Sequence, residues 1–186
     1  MAKKVLFTIF SIFLVYQSIK LVGIISDKNI EAWWVNILLA IFINLFVTGI
    51  FAFLGFVYPT QKLLSGNYYK IDRISFQKKI YKLLKVETFR KFLLATVWRK
   101  KTAQKKFFDG TKSGIENLII QSKKSDFGHF VPLVILLCLA IYWLMLGKWE
   151  IALLTTIINV FFNFYPILLQ RQHRMRIQIL GARLNR

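Results

Sequence analysis

The chain has 186 residues, 56% of them hydrophobic and 16% aromatic, and a formal net charge of +19 from 27 Lys+Arg against 8 Asp+Glu. A single soluble core cannot enclose that much apolar material, and a nucleic-acid-binding module would explain the charge but not the apolar runs. Apolar and strongly basic together fit a bilayer protein whose cations are gathered in its loops, so membrane lipids are expected as partners and nucleic acid is not.

The first apolar segment covers residues 5–25, broken by Gln17 and Lys20. Met1 to Lys4 ahead of it resembles the start of a signal peptide, but no small-x-small cleavage site follows and Leu21 to Ile25 resumes the run, so the segment is expected to be retained. The second segment, 33–57, contains no formal charge. The third, 131–146, is short, and needs His129, Phe130 and the Gly147–Lys148 turn at its borders to span. The fourth, 149–169, carries Glu150 at its edge. Since about 20 apolar residues cross the hydrocarbon, the expectation is an all-α membrane protein, one membrane domain over 1–186 with four transmembrane helices.

Between the second and third segments lies a loop, 58–130, and after the fourth a basic tail, 170–186. The loop holds 17 Lys+Arg against 5 Asp+Glu, whereas the turns at Lys28 and Lys148 are nearly neutral. The alternation places the loop, the tail and both termini on the cytoplasmic side.

The loop is patterned. Phe76, Ile80, Leu83 and Leu84 recur at helical spacing among Lys78, Lys79, Lys82 and Lys85, and Phe89, Phe92, Leu93 and Val97 follow beside Arg90, Lys91, Arg99, Lys100 and Lys101. Basic amphipathic helices of this kind lie in the membrane surface with cations on anionic headgroups. A turn is expected at 109–111, then a helix opened by the Ser113-x-x-Glu116 capping box and closed near Gly128. Asp126 and His129, three apart near its end, offer a His base with a carboxylate to orient it. Cys138, the single cysteine, is expected as a small buried hydrophobe. No Cys/His set has metal-ligand spacing and there is no phosphate loop or dinucleotide fingerprint, so no metal and no cofactor is expected.

In the fourth segment Asn159, Asn163, Pro166, Gln170 and Arg174 recur every three or four residues, which puts them on one helical face. Amides there either bond helix to helix or line a polar groove that ends in Arg171, Arg174 and Arg176.

The run Asn163-Phe-Tyr-Pro166-Ile-Leu-Leu-Gln170-Arg171-Gln-His-Arg174-Met-Arg176 resembles the closing motif of the glycosyl-diaponeurosporenoate acyltransferase family, small bacterial membrane proteins of carotenoid-lipid biosynthesis. Its upstream element, Glu-Thr-x-x-x-Glu-x-x-His, is matched by Gln121-Ser122-Lys-Lys-Ser-Asp126-Phe-Gly-His129, with Gln121 in place of an acid and Ser122 in place of Thr. His173 stands where the family has Asn. The resemblance covers about 81–177 and implies a bacterial inner-membrane enzyme that moves a fatty acyl group onto a hydroxyl of a glycosylated or lipid-linked acceptor. In that reading His129 deprotonates the hydroxyl and Asp126 fixes its tautomer. Arg171, Arg174 and Arg176 hold donor phosphates or an acidic headgroup, Asn163 and Gln170 orient acceptor or acyl carbonyl, and Gln121 and Ser122 belong to the substrate site. The alternative is a non-enzymatic membrane subunit or scaffold that binds anionic lipid or a partner membrane protein.

Overall fold

The computed structural model describes residues 1–96 and 112–184. Val97, Arg99, Lys100, Lys101, the turn expected at 109–111 and Arg186 lie outside the described residues, as do the side chains of Ser113 and Arg183. Every regular element among the described residues is helical: α1 Ala2–Asp27, α2 Trp33–Val57, a 3-10 turn Thr60–Lys62, α3 Gly66–Tyr69, α4 Ile74–Leu83, α5 Val86–Thr96, α6 Lys112–Met145, α7 Trp149–Asn159, a π-helical turn Val160–Phe164 and α8 Tyr165–Leu184. Four stretches are long and apolar enough to cross a membrane, Ala2–Asp27, Trp33–Val57, Gly114–Met145 and Trp149–Ile179. The chain divides into two compact units, Met1–Thr60 with Phe127–Phe164 and Gln61–Asp126 with Tyr165–Arg186.

In the first unit the polarity of α1 is inverted relative to a water-soluble helix. Its buried residues are Ser11, Ser18 and Ile25, seven apart, while Val5, Ile9, Ile12, Phe13, Tyr16 and Ile19 are exposed. Large apolar side chains outside and small ones at the helix contact is the pattern that lipid surroundings favour. Ser11 Oγ donates to the Phe7 carbonyl at 2.9 Å, and it also lies 3.2 Å from the Ile50 carbonyl of α2. Lys20 lies on the exposed side, where its long stem can carry the charge toward a headgroup. The core joins Ile25, Ala40, Ile43, Val47, Leu136, Ala140, Trp143, Ile151 and Ala152.

One end of this unit is tied by polar contacts. Gly147 takes φ 74°, a conformation that suits glycine, and the bonds Lys148 N to Trp143 O and Gly147 N to Leu144 O close α6 in a Schellman turn. Lys148 Nζ then donates to the Ile25 and Lys28 carbonyls, both at 2.7 Å, placing a cation on the negative end of α1.

The structure corrects two local expectations. Gly128 does not close a helix: α6 runs 34 residues through it and through Pro132. A β-carbon on Gly128 would stand 3.7 Å from the Phe51 carbonyl oxygen, so the glycine sits at a close approach of α6 to α2. Cys138 is exposed, not buried, because the inward positions of this part of α6 fall at Leu136, Ala140 and Trp143.

In the second unit α4 and α5 are separated by Lys85, held at φ 50°. Tyr81 and Val86 are buried, Phe89 packs against Tyr165 with centroids 4.9 Å apart and the rings tilted by 36°, and Phe76, Leu83 and Phe92 are exposed. Gln178 Nε2 donates to the Ile71 carbonyl at 3.3 Å.

Candidate functional site

In the first unit the polar interior is built on the turn before Pro166. Proline lacks an N–H, and in a straight α-helix its ring would clash with the carbonyl four residues back, that of Phe162. The wider π turn Val160–Phe164 occupies this place and presents Asn163, fully buried. Such single π turns recur at functional positions. Asn163 Nδ2 donates to Asn159 Oδ1 at 2.9 Å, and Asn159 Nδ2 donates to the Leu133 carbonyl at 3.0 Å. Asn163 Oδ1 lies 3.1 Å from Thr48 Oγ1, which donates to it, and 3.1 Å from His129 Nδ1. The apolar surroundings make each of these bonds matter, since an unpaired buried amide is costly. Thr48 was not legible as a site residue; its only sequence signal is a hydroxyl in a charge-free apolar segment.

In the second unit Asp126 is fully buried and forms an ion pair and hydrogen bond with Arg174, itself 6% exposed. Tyr68 donates its hydroxyl to the other carboxylate oxygen at 2.9 Å, and Arg171 Nε stands 4.0 Å from the carboxylate. Arg174 Nη1 donates to Ser122 Oγ at 3.0 Å and to the Ser122 carbonyl at 3.3 Å, and Ser122 Oγ donates to the Gln170 carbonyl at 3.2 Å. The Arg171 guanidinium lies over the Tyr68 ring at 4.7 Å and that of Arg174 over the Tyr69 ring at 5.3 Å. These cation–π contacts add to the ion pair and hydrogen bonds of Arg174 and to the bond Arg171 makes to the Tyr68 carbonyl.

Electrostatics follow from that packing. Burial, and then the Asp126 charge, push the Tyr68 phenol far up and that of Tyr69 up to about 12, with the nearby guanidiniums opposing. Burial likewise raises Tyr81, whose hydroxyl has no hydrogen-bond partner. Both tyrosines that enclose the arginines, Tyr68 and Tyr69, escaped the sequence reading, because a tyrosine pair beside Gly66-Asn67 has no periodicity to mark it.

The expected residues therefore fall into distinct settings. His129 and Asn163 meet in the first unit; Asp126, Ser122, Arg174 and the Gln170 carbonyl meet in the second, with Arg171 beside them. Arg176 is turned outward and pairs with Glu87 at 2.9 Å, and Gln121 lies on an exposed side of α6.

Comparison with known families adds one match: the model for glycosyl-4,4'-diaponeurosporenoate acyltransferase covers residues 65–183. No curated protein and no solved structure matches the chain.

Proposed function

The chain belongs to the glycosyl-4,4'-diaponeurosporenoate acyltransferase family, and from that premise we propose that it moves a fatty acyl group onto a hydroxyl of a glycosylated or lipid-linked acceptor. The observation that carries this reading is the meeting of His129 with Asn163 at 3.1 Å. These residues are far apart in sequence, and both lie inside the matched range.

In the reaction His129 takes the proton of the acceptor hydroxyl. The acceptor oxygen bonds to the acyl carbonyl carbon, the bond from that carbon to the donor's leaving atom breaks, and His129 returns the proton to the leaving group. Asn163 works through His129 in this scheme. The arginine cluster binds an anionic group of donor or headgroup: two guanidiniums share the single Asp126 carboxylate, which leaves one positive charge uncompensated. Arg171 Nε, within ion-pair reach of Asp126 but without a hydrogen bond, and the buried Tyr81 hydroxyl, also without one, support the same assignment.

Placement in the membrane follows the charge alternation, with the loop, the tail and both termini on the cytoplasmic side of the inner membrane. Helices α4 and α5 lie in its surface. Exposed Phe76, Leu83 and Phe92 beside exposed Lys78, Lys79, Lys82 and Lys91 support that reading.

A second reading, a non-enzymatic subunit or scaffold for anionic lipid or a partner membrane protein, draws on the same buried amides, since the bonds of Asn159 to Leu133 and of Thr48 to Asn163 would also lock helices together. Extracted lipids from cells with the chain, without it, and with His129→Ala separate the two. Acyl transfer requires one acylated species that vanishes in both altered strains while the variant still inserts. If deletion of the chain changes no acylated lipid, the scaffold reading replaces the enzyme.

A further inference from the structure

The amides of the first unit form a chain of hydrogen bonds with a direction. It begins at the Leu133 carbonyl, which can only accept. The group of Asn159 facing it at 3.0 Å is therefore the NH2, so Asn159 turns its Oδ1 to Asn163. That oxygen in turn fixes the NH2 of Asn163 toward Asn159 at 2.9 Å and leaves Asn163 Oδ1 facing Thr48 and His129. An amide oxygen accepts and never donates, so the ring nitrogen it meets must carry the proton. Thr48 holds the second lone pair of the same oxygen, which opposes rotation of the amide.

We infer that Asn159 and Thr48 are positioning residues which, through Asn163, hold neutral His129 with its proton on Nδ1 and its basic lone pair on Nε2. The two amides involved are wholly enclosed, 0% exposed each, so water does not compete for their bonds. Nε2 then becomes the nitrogen that receives the acceptor's proton, a step that rests on the acyl-transfer reading. The tautomer itself does not rest on it. A backbone carbonyl of the histidine's own helix, that of Leu133 one turn on in α6, thus acts through the two amides of the neighbouring helix to do for the imidazole what a carboxylate does in a Ser-His-Asp triad, without placing a charge beside it.

The test uses the full chain in lipid bilayers with ring-15N histidine. There are two histidines, and a His173→Asn variant assigns the signals. Neutral His129 is expected with Nδ1 protonated and Nε2 unprotonated. The opposite tautomer in the unaltered chain overturns the inference, whatever the turnover. Asn159→Leu removes the acceptor for the Asn163 NH2, so a population with Nε2 protonated should appear. Asn159→Asp, protonated in its buried setting, keeps both an acceptor and a donor and should restore the original signal. In the lipid assay Asn159→Leu should lower kcat on the order of 10- to 100-fold with KM little changed, with Thr48→Val weaker in the same direction and Thr48→Ser restored. Tautomers that stay fixed in both Asn159→Leu and Thr48→Val refute the positioning role. An unaltered chain that shows the expected tautomer but no transfer upholds this inference and removes the enzyme reading alone.

Discussion

Asp126 and Arg174 form an ion pair with no exposure at the carboxylate and 6% at the guanidinium, and the Tyr68 hydroxyl occupies the remaining carboxylate oxygen. Burial makes such a pair costly to assemble and more costly to break, because removal of one member leaves the other charge enclosed. Asp126→Asn is therefore expected to cost about 3–5 kcal/mol, seen as a lower unfolding temperature in detergent. The double change Asp126→Asn with Arg174→Met should cost less than the two single changes together. Strict additivity would show that the two side chains are not coupled.

Acid should loosen the contact between α5 and α8. Glu87 bonds Arg90 and Arg176, and these cations, led by the Arg90 hydrogen bond, hold its carboxyl below the ordinary 4.5. A depressed folded value stabilises above the unfolded one and is lost as pH falls through the folded one. The chain should therefore lose a small increment of stability as pH drops below about 4.5, and Glu87→Gln should lack that acid-sensitive component. The increment is well under about 1 kcal/mol, since water screens this surface pair. Equal acid curves for both proteins would contradict the assignment.

Leu83, 80% exposed, is the most exposed apolar side chain of α4. A fluorophore on Leu83→Cys, with Cys138→Ala to remove the native thiol, should be quenched by lipid-borne nitroxides in vesicles that contain anionic lipid. Quenching only by a water-soluble agent would show α4 facing solvent, away from the membrane.

Topology is open to fusion reporters. Those at Lys28 and Lys148 should report the outer side, and those near Lys105 or after Arg186 the cytoplasm. A cytoplasmic Lys148 would break the four-span arrangement.

The apolar segments were legible because length and the absence of charge depend on no partner, and the second matches α2 residue for residue at 33–57. The start of the third was not. Gly128 reads as a helix stop when the helix is judged alone, yet α2 packs against it and the helix continues through it and through Pro132. The motif residues Asn163 and Arg174 were found by spacing, but spacing could not tell which partner each would take. Asn163 meets His129, Arg174 meets Asp126, and Arg176, two residues on, turns away to Glu87. Tyr68 and Thr48 join through tertiary contact alone, which no local pattern announces.

The inverted polarity of α1 alters what counts as a conservative change. When both the contact and the surroundings are oily, trading one for the other gains almost nothing from water, and shape decides whether two helices stay together. At Gly49 a β-carbon would come within 2.7 Å of a terminal methyl of Leu14, so an added methyl there makes that flexible side chain turn aside, and the cost is one of fit, however greasy the newcomer is. At Ser11 a leucine would improve every hydropathy score and still lose the bond across to Ile50. Along the outward residues, by contrast, Phe, Ile and Leu should interchange with little effect. Scales that rank residues by their dislike of water would thus misjudge this helix on both faces.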